Sequence, residues 1–191
     1  MDPDKVLVFQ DEAHFHQTTS VARIWALKGS KPQVPSAPGR RSVAVSGYVF
    51  PGTGEFIVTR PSWFNFETVI QSFRDFIAEA NIPEGKKAAL VIDNAPWHKK
   101  AFRLIVDEQL PEYQDIREKL DIIKMPPYSP DLNPIEQCWR VTRREVTHNR
   151  YFETLDKLDD TLFSYFSLYR ASNDKFRTLC SFSWFTGNMS D

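Results

Sequence analysis

Three acidic residues stand where the chain changes character. Asp11 follows one apolar run, Asp93 follows another, and Glu136 comes after a proline-rich approach. Carboxylates offer hard oxygen donors. An Asp, an Asp and a Glu gathered from separate elements suit divalent-metal chemistry on phosphodiesters. Two ions about 3.5–4 Å apart neutralise charge on both the attacking and the leaving oxygen. Mg²⁺ takes one or two carboxylates and completes its shell with water and substrate phosphate.

Each acid also has an ordinary explanation. Asp93 closes VID and opens NAPWHKK, and an aspartate there commonly bonds the backbone of its own turn. Asp11 has Glu12 beside it. Neighbours on a strand point to opposite faces, so only one of them faces a given site, and Asp11 is preferred because it follows the apolar run directly. Glu136 lies in MPPYSPDLNPIEQCW, residues 125–139, which holds four of the thirteen prolines. Residues 128–131 read as a turn, Asn133 as a helix N-cap and Pro134 as the first helical residue. Glu136 is then third in the helix, where a capping-box acid reaches back and the helix dipole favours it. Ile135, Cys138, Trp139, Thr142 and Val146 make the core-facing stripe, and Glu136 sits at its edge in line with Arg140 and Arg143.

The elements that must position these acids follow from periodicity. Residues 6–9 read as a buried strand, and 16–28 are ambiguous, with a short hairpin through 24–26. Residues 31–41 form a basic, proline-rich loop. Strands at 42–50 and 55–59 make a hairpin about 51–54. Phe66, Val69, Ile70, Phe73, Phe76 and Ile77 predict a helix over 65–80, and 87–92 is a buried strand of the parallel kind. A helix over 99–109, a strand at 120–124 and helices over 134–147 and 154–169 follow, with Phe182, Trp184 and Phe185 packing back on the body. The order predicts an α/β fold with a mixed sheet, an antiparallel meander plus parallel strands, flanked by helices. With Asp11 and Asp93 at carboxyl ends of neighbouring strands, the two would share a crevice.

Bulk properties narrow the classes. The chain has 191 residues, 41% hydrophobic and 14% aromatic, which suits one packed domain. A net charge of -1 excludes a generally basic nucleic-acid coat. Polyanion contact must come from clusters: Lys99, Lys100 and Arg103; Arg140, Arg143, Arg144 and Arg150; and Arg40 with Arg41 in the loop. Basic helix faces are commonly just solvated, but beside three acids they become candidates for phosphate contact. Cys138 and Cys180 are far apart in sequence and in no metal spacing, which suits a reducing compartment. No signal-peptide pattern and no membrane-length apolar run occur, so the reading is a soluble, cytoplasmic chain. His14 and His16 form an HxH pair without a third ligand at zinc spacing, the basis of a rival reading as a single-zinc hydrolase. Asn94 either orients a metal-bound water or stabilises the turn, and His98 supports Asp93 from behind or faces a bound polyanion rather than ligating a metal. Trp25, Trp63, Trp97, Trp139 and Trp184 are expected in the core.

The motifs resemble those of a known family. DNAPWH at 93–98 and PPYSPDLNPIEQCW at 126–139 are similar to the signature blocks of mariner-superfamily transposases, closest to the prokaryotic insertion-sequence branch. QDEAHFH at 10–16 resembles the first block, and RIWALKGSKP at 23–32 the stretch that follows it. The resemblance runs from about residue 6 to 151. It implies an RNase H-like fold, a DDE triad on Asp11, Asp93 and Glu136, and two Mg²⁺ or Mn²⁺ ions per site. It also implies DNA partners (transposon ends and target), a homodimer in the active complex and a nucleoid-associated setting. The implied reaction is attack of water on a phosphodiester at the element's end, then attack of the freed 3′-hydroxyl on target DNA. Two departures stand out. Glu136 follows Asp93 by 43 positions, more than is usual in animal members, with the excess expected around 107–117. The family's helix-turn-helix region is expected to be absent, leaving residues 1–191 as a single catalytic domain. A catalytically idle, transposase-derived DNA- or partner-binding domain is the remaining rival.

Overall fold

The first strand runs well past its apolar start. In this computed structural model, which describes residues 4–127, 129 and 132–181, strand β1 spans Lys5–His16. Asp11 is therefore inside the strand, not at its end. The reason lies in the residues after it: Ala13 and Phe15 are buried while His14 and His16 are exposed, the alternation of a half-buried strand. β2 (Ser42–Val49) pairs antiparallel with β1 and with β3 (Phe56–Thr59). β4 (Lys87–Ile92) runs parallel to β1 on its other side, and β5 (Leu120–Lys124) runs parallel to β4. The order is β3-β2-β1-β4-β5, the mixed sheet expected from the sequence.

Helices cover both faces. Helix α1 (Phe66–Glu79) starts at Asn65, whose side chain accepts from Thr68 N–H at 2.8 Å while Thr68 Oγ1 accepts from Asn65 N–H at 3.0 Å. Helices α2 (Pro96–Phe102) and α3 (Gln114–Lys119) share its face, where Val8, Tyr48, Leu90 and Ile92 meet Val69, Phe73, Phe76, Ala101, Ile105 and Ile116. On the other face lie α4 (Ile135–Thr142), α5 (Leu155–Ser167) and α6 (Asp174–Leu179). There Phe9, Phe15, Val45 and Phe56 meet Trp139, Leu158, Leu162, Phe166 and Phe176.

Several expectations change. The helix expected over 99–109 starts earlier, at Pro96, and past Phe102 continues as a π-helix over Arg103–Asp107, where Glu108 N–H donates to Arg103 O at 2.8 Å. The helix over 134–147 is borne out to Thr147, its last turn widening into a π-helix over Arg143–Thr147 with His148 N–H bonded to Arg143 O at 2.7 Å. No hairpin forms at 24–26; Ser20 makes an isolated bridge to His148 and the chain stays irregular. Trp25 and Trp63 are exposed, since they sit on irregular segments outside both sheet faces. Residues 107–117 hold the single turn Pro111–Tyr113 and the start of α3. Helix α6 was not foreseen, and Phe182, Trp184 and Phe185 lie outside the described residues. Cys138 and Cys180, distant in sequence, are buried free thiols with their sulfurs 3.5 Å apart. Among the described residues no helix is long and apolar enough to cross a membrane.

Gly47 ties the sheet to α4. It pairs with Asp11 in the register, and a Cβ there would lie 2.5 Å from the Trp139 ring and 2.9 Å from Phe56. Its value is the space it leaves. Gly47→Ala should therefore overpack this contact and cost about 1–3 kcal/mol. Thermal denaturation should show a drop of roughly 2–10 °C, and an unchanged melting curve would mean the indole shifts aside freely.

Candidate active site

Strand register brings the first two acids together. Phe9 pairs with Val91 across the parallel β1–β4 ladder, and both face the α4 side. Two residues further along each chain, Asp11 and Asp93 emerge on that same side. Glu136, from the start of α4, completes the set. The three line one cleft of about 550 Å³, together with Asn94, Ala95, Lys99, Met125, Pro126, Pro127, Ser129 and Asn133.

The three acids have different surroundings. Asp11 Oδ2 accepts a hydrogen bond from Trp139 Nε1–H at 3.1 Å. Burial, then the charges of Glu136 and Glu12, push its carboxyl up to about 7. Asp93 Oδ1 accepts from Ala95 N–H at 2.8 Å and faces His98 Nδ1 at 2.5 Å. Burial works to raise its pKa, but these two contacts outweigh it and hold the carboxyl below the usual range. The turn explanation of Asp93 is thus correct for one oxygen, and among the described residues nothing donates to the other. Glu136 is exposed, and no described residue donates to its carboxylate.

The helix start differs from the sequence reading. Asn133 Oδ1 accepts from Ile135 N–H at 3.4 Å, Pro134 takes the cap position, and Glu136 is the second helical residue. The only side-chain contact on the first helical N–H groups among the described residues is this long one from Asn133. Proline at the cap shifts the start by one residue, so the capping box does not form. The stripe of Ile135, Cys138, Trp139, Thr142 and Val146 is buried as expected. Core packing of that stripe, rather than a cap, fixes where Glu136 stands. The turn expected at 128–131 falls on Tyr128, Pro130 and Asp131, outside the described residues.

Asn94 acts as a brace. Its Nδ2 donates to Met125 O at 2.7 Å, while Met125 N–H donates to Ile92 O at 2.8 Å. The proline-rich approach is thereby pinned to the end of β4. His98 is fully buried, with Nδ1 on Asp93 and Nε2 2.9 Å from Glu12 Oε1, a close contact lying off the N–H axis. Burial opposes its charge, but the two carboxylates prevail and raise its pKa to about 9. Glu12 and the Trp139 N–H were not foreseen as site residues. The signal for Glu12 was available: an acid on a strand whose two faces are both apolar must find a partner.

The basic residues separate on inspection. Lys99 lines the cleft. Lys100 lies over the Phe66 ring at 4.2 Å, and Arg103 pairs with Glu108 at 3.2 Å. Arg143 sits 5.5 Å over Phe15, Arg144 pairs with Glu145 at 3.7 Å, and Arg140, Arg40 and Arg41 are exposed. The His14 and His16 rings stack with centroids 6.3 Å apart. Among the described residues, no three His, Cys, Asp or Glu side chains converge closely enough to enclose one ion. The donor set in the cleft is all oxygen. Mutual repulsion between Asp11 and Glu136 is the electrostatic state that a cation relieves.

Known proteins share this chain's family and fold. Residues 6–159 match the DDE superfamily endonuclease family, and the chain belongs to it. The fold is similar to that in the Mos1 strand transfer complex (TM-score 0.62, 15% identity, covering 91% of this chain and 50% of that one). It is equally similar to the Mos1 mariner paired end complex with Mn (TM-score 0.62, 16% identity, covering 91% and 51%). The architecture is accordingly RNase H-like, a mixed sheet flanked by helices. An uncharacterized protein y4pE/y4sA of Sinorhizobium fredii is 28% identical over 90 residues, 46% of this chain and 58% of that protein. The chain thus spans about half the length of the Mos1 chains and little more than half of the curated relative.

The perturbed Asp11 makes stability pH-dependent. A carboxyl with a folded pKa near 7, against an ordinary 3.8, holds its proton more tightly when folded. Its ionisation therefore costs stability as pH rises from about 4 to about 7. In EDTA, Asp11→Asn should melt close to wild type near pH 4. Above pH 7 it should be more stable by roughly 1–4 kcal/mol. Melting curves across that range check the sign, and parallel pH profiles for the two proteins would show that Asp11 is not under charge strain.

Proposed function

We propose that this chain is the catalytic domain of a mariner-type DDE transposase that cuts phosphodiester bonds at transposon ends and joins the 3′-hydroxyl ends to target DNA. The observation that carries it is the meeting of Asp11, Asp93 and Glu136, from three separate elements, in one cleft of a DDE-family chain. The oxygen donor set fits Mg²⁺ or Mn²⁺, two ions per site, and Mos1 paired end complexes contain Mn or Mg. When bound, the ions supply charge neutralisation on the attacking and leaving oxygens. Asp11, Asp93 and Glu136 would hold the ions, with water and substrate phosphate completing their shells.

The chain's residues divide the remaining work. Asp11 and Asp93, level on adjacent strands, form the fixed side of the site. Glu136 closes it from α4. Lys99, inside the cleft, contacts a substrate phosphate. Arg140, Arg143, Arg144, Lys100, Arg103, Arg40 and Arg41 hold DNA outside the cleft, positioning it without reading sequence. Residues 1–191 act as one catalytic domain, paired with a second copy in an active complex that brings two transposon ends together, by analogy with the Mos1 paired end complex. A partial match in the bacterium Sinorhizobium fredii is compatible with the prokaryotic branch, and a nucleoid setting would follow from the transposase reading.

Glu136→Gln tests the chemistry apart from the fold. Glutamine keeps size and polarity at an exposed position and removes the charge. In metal-free buffer the variant should melt no lower than wild type, since the repulsion of Asp11 is relieved. Calorimetry should show weaker Mn²⁺ binding, and cleavage of DNA carrying the element's ends should fall by roughly 100-fold or more. Normal cutting by Glu136→Gln would remove this residue from the triad, and absence of cutting by the wild-type chain would favour the idle derivative.

A further inference from the structure

We propose that Glu12, acting through the buried His98 ring, positions the Asp93 carboxylate in the active site. This deepens the transposase reading and rests on Asp93 being a metal ligand. Glu12 neighbours Asp11 in sequence but points to the opposite face of β1, toward α2. There Glu12 Oε1 lies 2.9 Å from His98 Nε2, and His98 Nδ1 lies 2.5 Å from Asp93 Oδ1. Gln10 Nε2 donates to the same Glu12 oxygen at 3.0 Å and to Ser46 Oγ at 2.9 Å. Both Gln10 and His98 are fully buried. A continuous polar chain thus runs behind the site, from Ser46 on β2 through β1 to the helix after β4, and ends on Asp93.

The arrangement has a function that packing alone does not explain. A buried ion pair is weak support for a fold, because apolar residues of similar volume are often at least as stabilising. Its surer effect is to fix geometry. The ring and the Ala95 N–H both engage Oδ1, which sets the carboxylate plane and leaves the second oxygen for the cleft. Groups that hold ligands from behind typically affect metal affinity about 10–100-fold.

The test separates the two sides of the ring. In His98→Asn the amide occupies the place of Nδ1, so it keeps the Asp93 contact and loses Glu12. In His98→Gln the amide occupies the place of Nε2, so it keeps Glu12 and loses Asp93. Mn²⁺ affinity by calorimetry, melting in EDTA and cleavage rates are measured on the full chain. His98→Gln should bind Mn²⁺ about 10–100-fold more weakly than wild type, and His98→Asn should recover most of that loss. Glu12→Ala should weaken Mn²⁺ binding several-fold, although its side chain is on the far face of the strand. Equal Mn²⁺ affinities for His98→Asn and His98→Gln would overturn the proposal, as would a Glu12→Ala protein that melts lower yet binds Mn²⁺ normally. Asp93→Asn serves as the reference. If it binds Mn²⁺ as wild type does, the metal-ligand reading of Asp93 fails first, and the positioning role falls with it.

Discussion

The parallel pairing of β1 with β4 is the constraint on which the rest depends. Phe9 opposite Val91 sets the two chains in step, and the alternation of side chains then delivers Asp11 and Asp93 to one face at one level. A slip of one residue would send one acid to the opposite face, into the cluster around Tyr48 and Phe73. The apolar residues of VLVF and AALVI, buried between two helical layers, resist such a slip. The ladder of ordinary core residues is therefore what makes two distant aspartates neighbours.

Bringing acids together is unfavourable, and the structure meets that cost unevenly. Asp93 receives a backbone N–H and a histidine whose charge two carboxylates maintain. Asp11 receives one indole N–H and carries the burden of burial and nearby acids. Glu136 stays in solvent. The resulting cleft is poised for cations, since binding one would relieve the residue least well compensated. Stability given up at a site in exchange for activity is a common pattern.

Trp139 joins core and cleft in one side chain. Its ring packs edge-on against Phe15, Phe56 and Phe166, while its N–H holds Asp11. Gly47 makes room for it across the sheet. The proline-rich approach plays a complementary part. Met125 is pinned by Ile92 and Asn94, and prolines limit the conformations of the chain leading to α4. Helix α4 then stands where its buried stripe places it, and Glu136 follows.

Local pattern carried much of this protein's character. Apolar runs, period-two alternation and period-3.6 patterning marked all five strands and α1, α2, α4 and α5, though not the short α3 and α6, because solvent and core impose those patterns residue by residue. Asp11, Asp93 and Glu136 were legible because each sits beside a strong local signal: an apolar run, a turn, a proline-rich helix entry. The sequence could also exclude a basic coat, from charge alone. It could not show that β1 continues through Asp11 or that α4 begins one residue late, since neighbouring elements decide where a strand or helix stops. Nor could it show that Glu12 meets His98, that Cys138 meets Cys180, or that Trp25 stays in solvent while Trp139 reaches an aspartate. Those facts depend on which surfaces face each other after the chain has folded, and contacts between residues dozens of positions apart leave no local period to read.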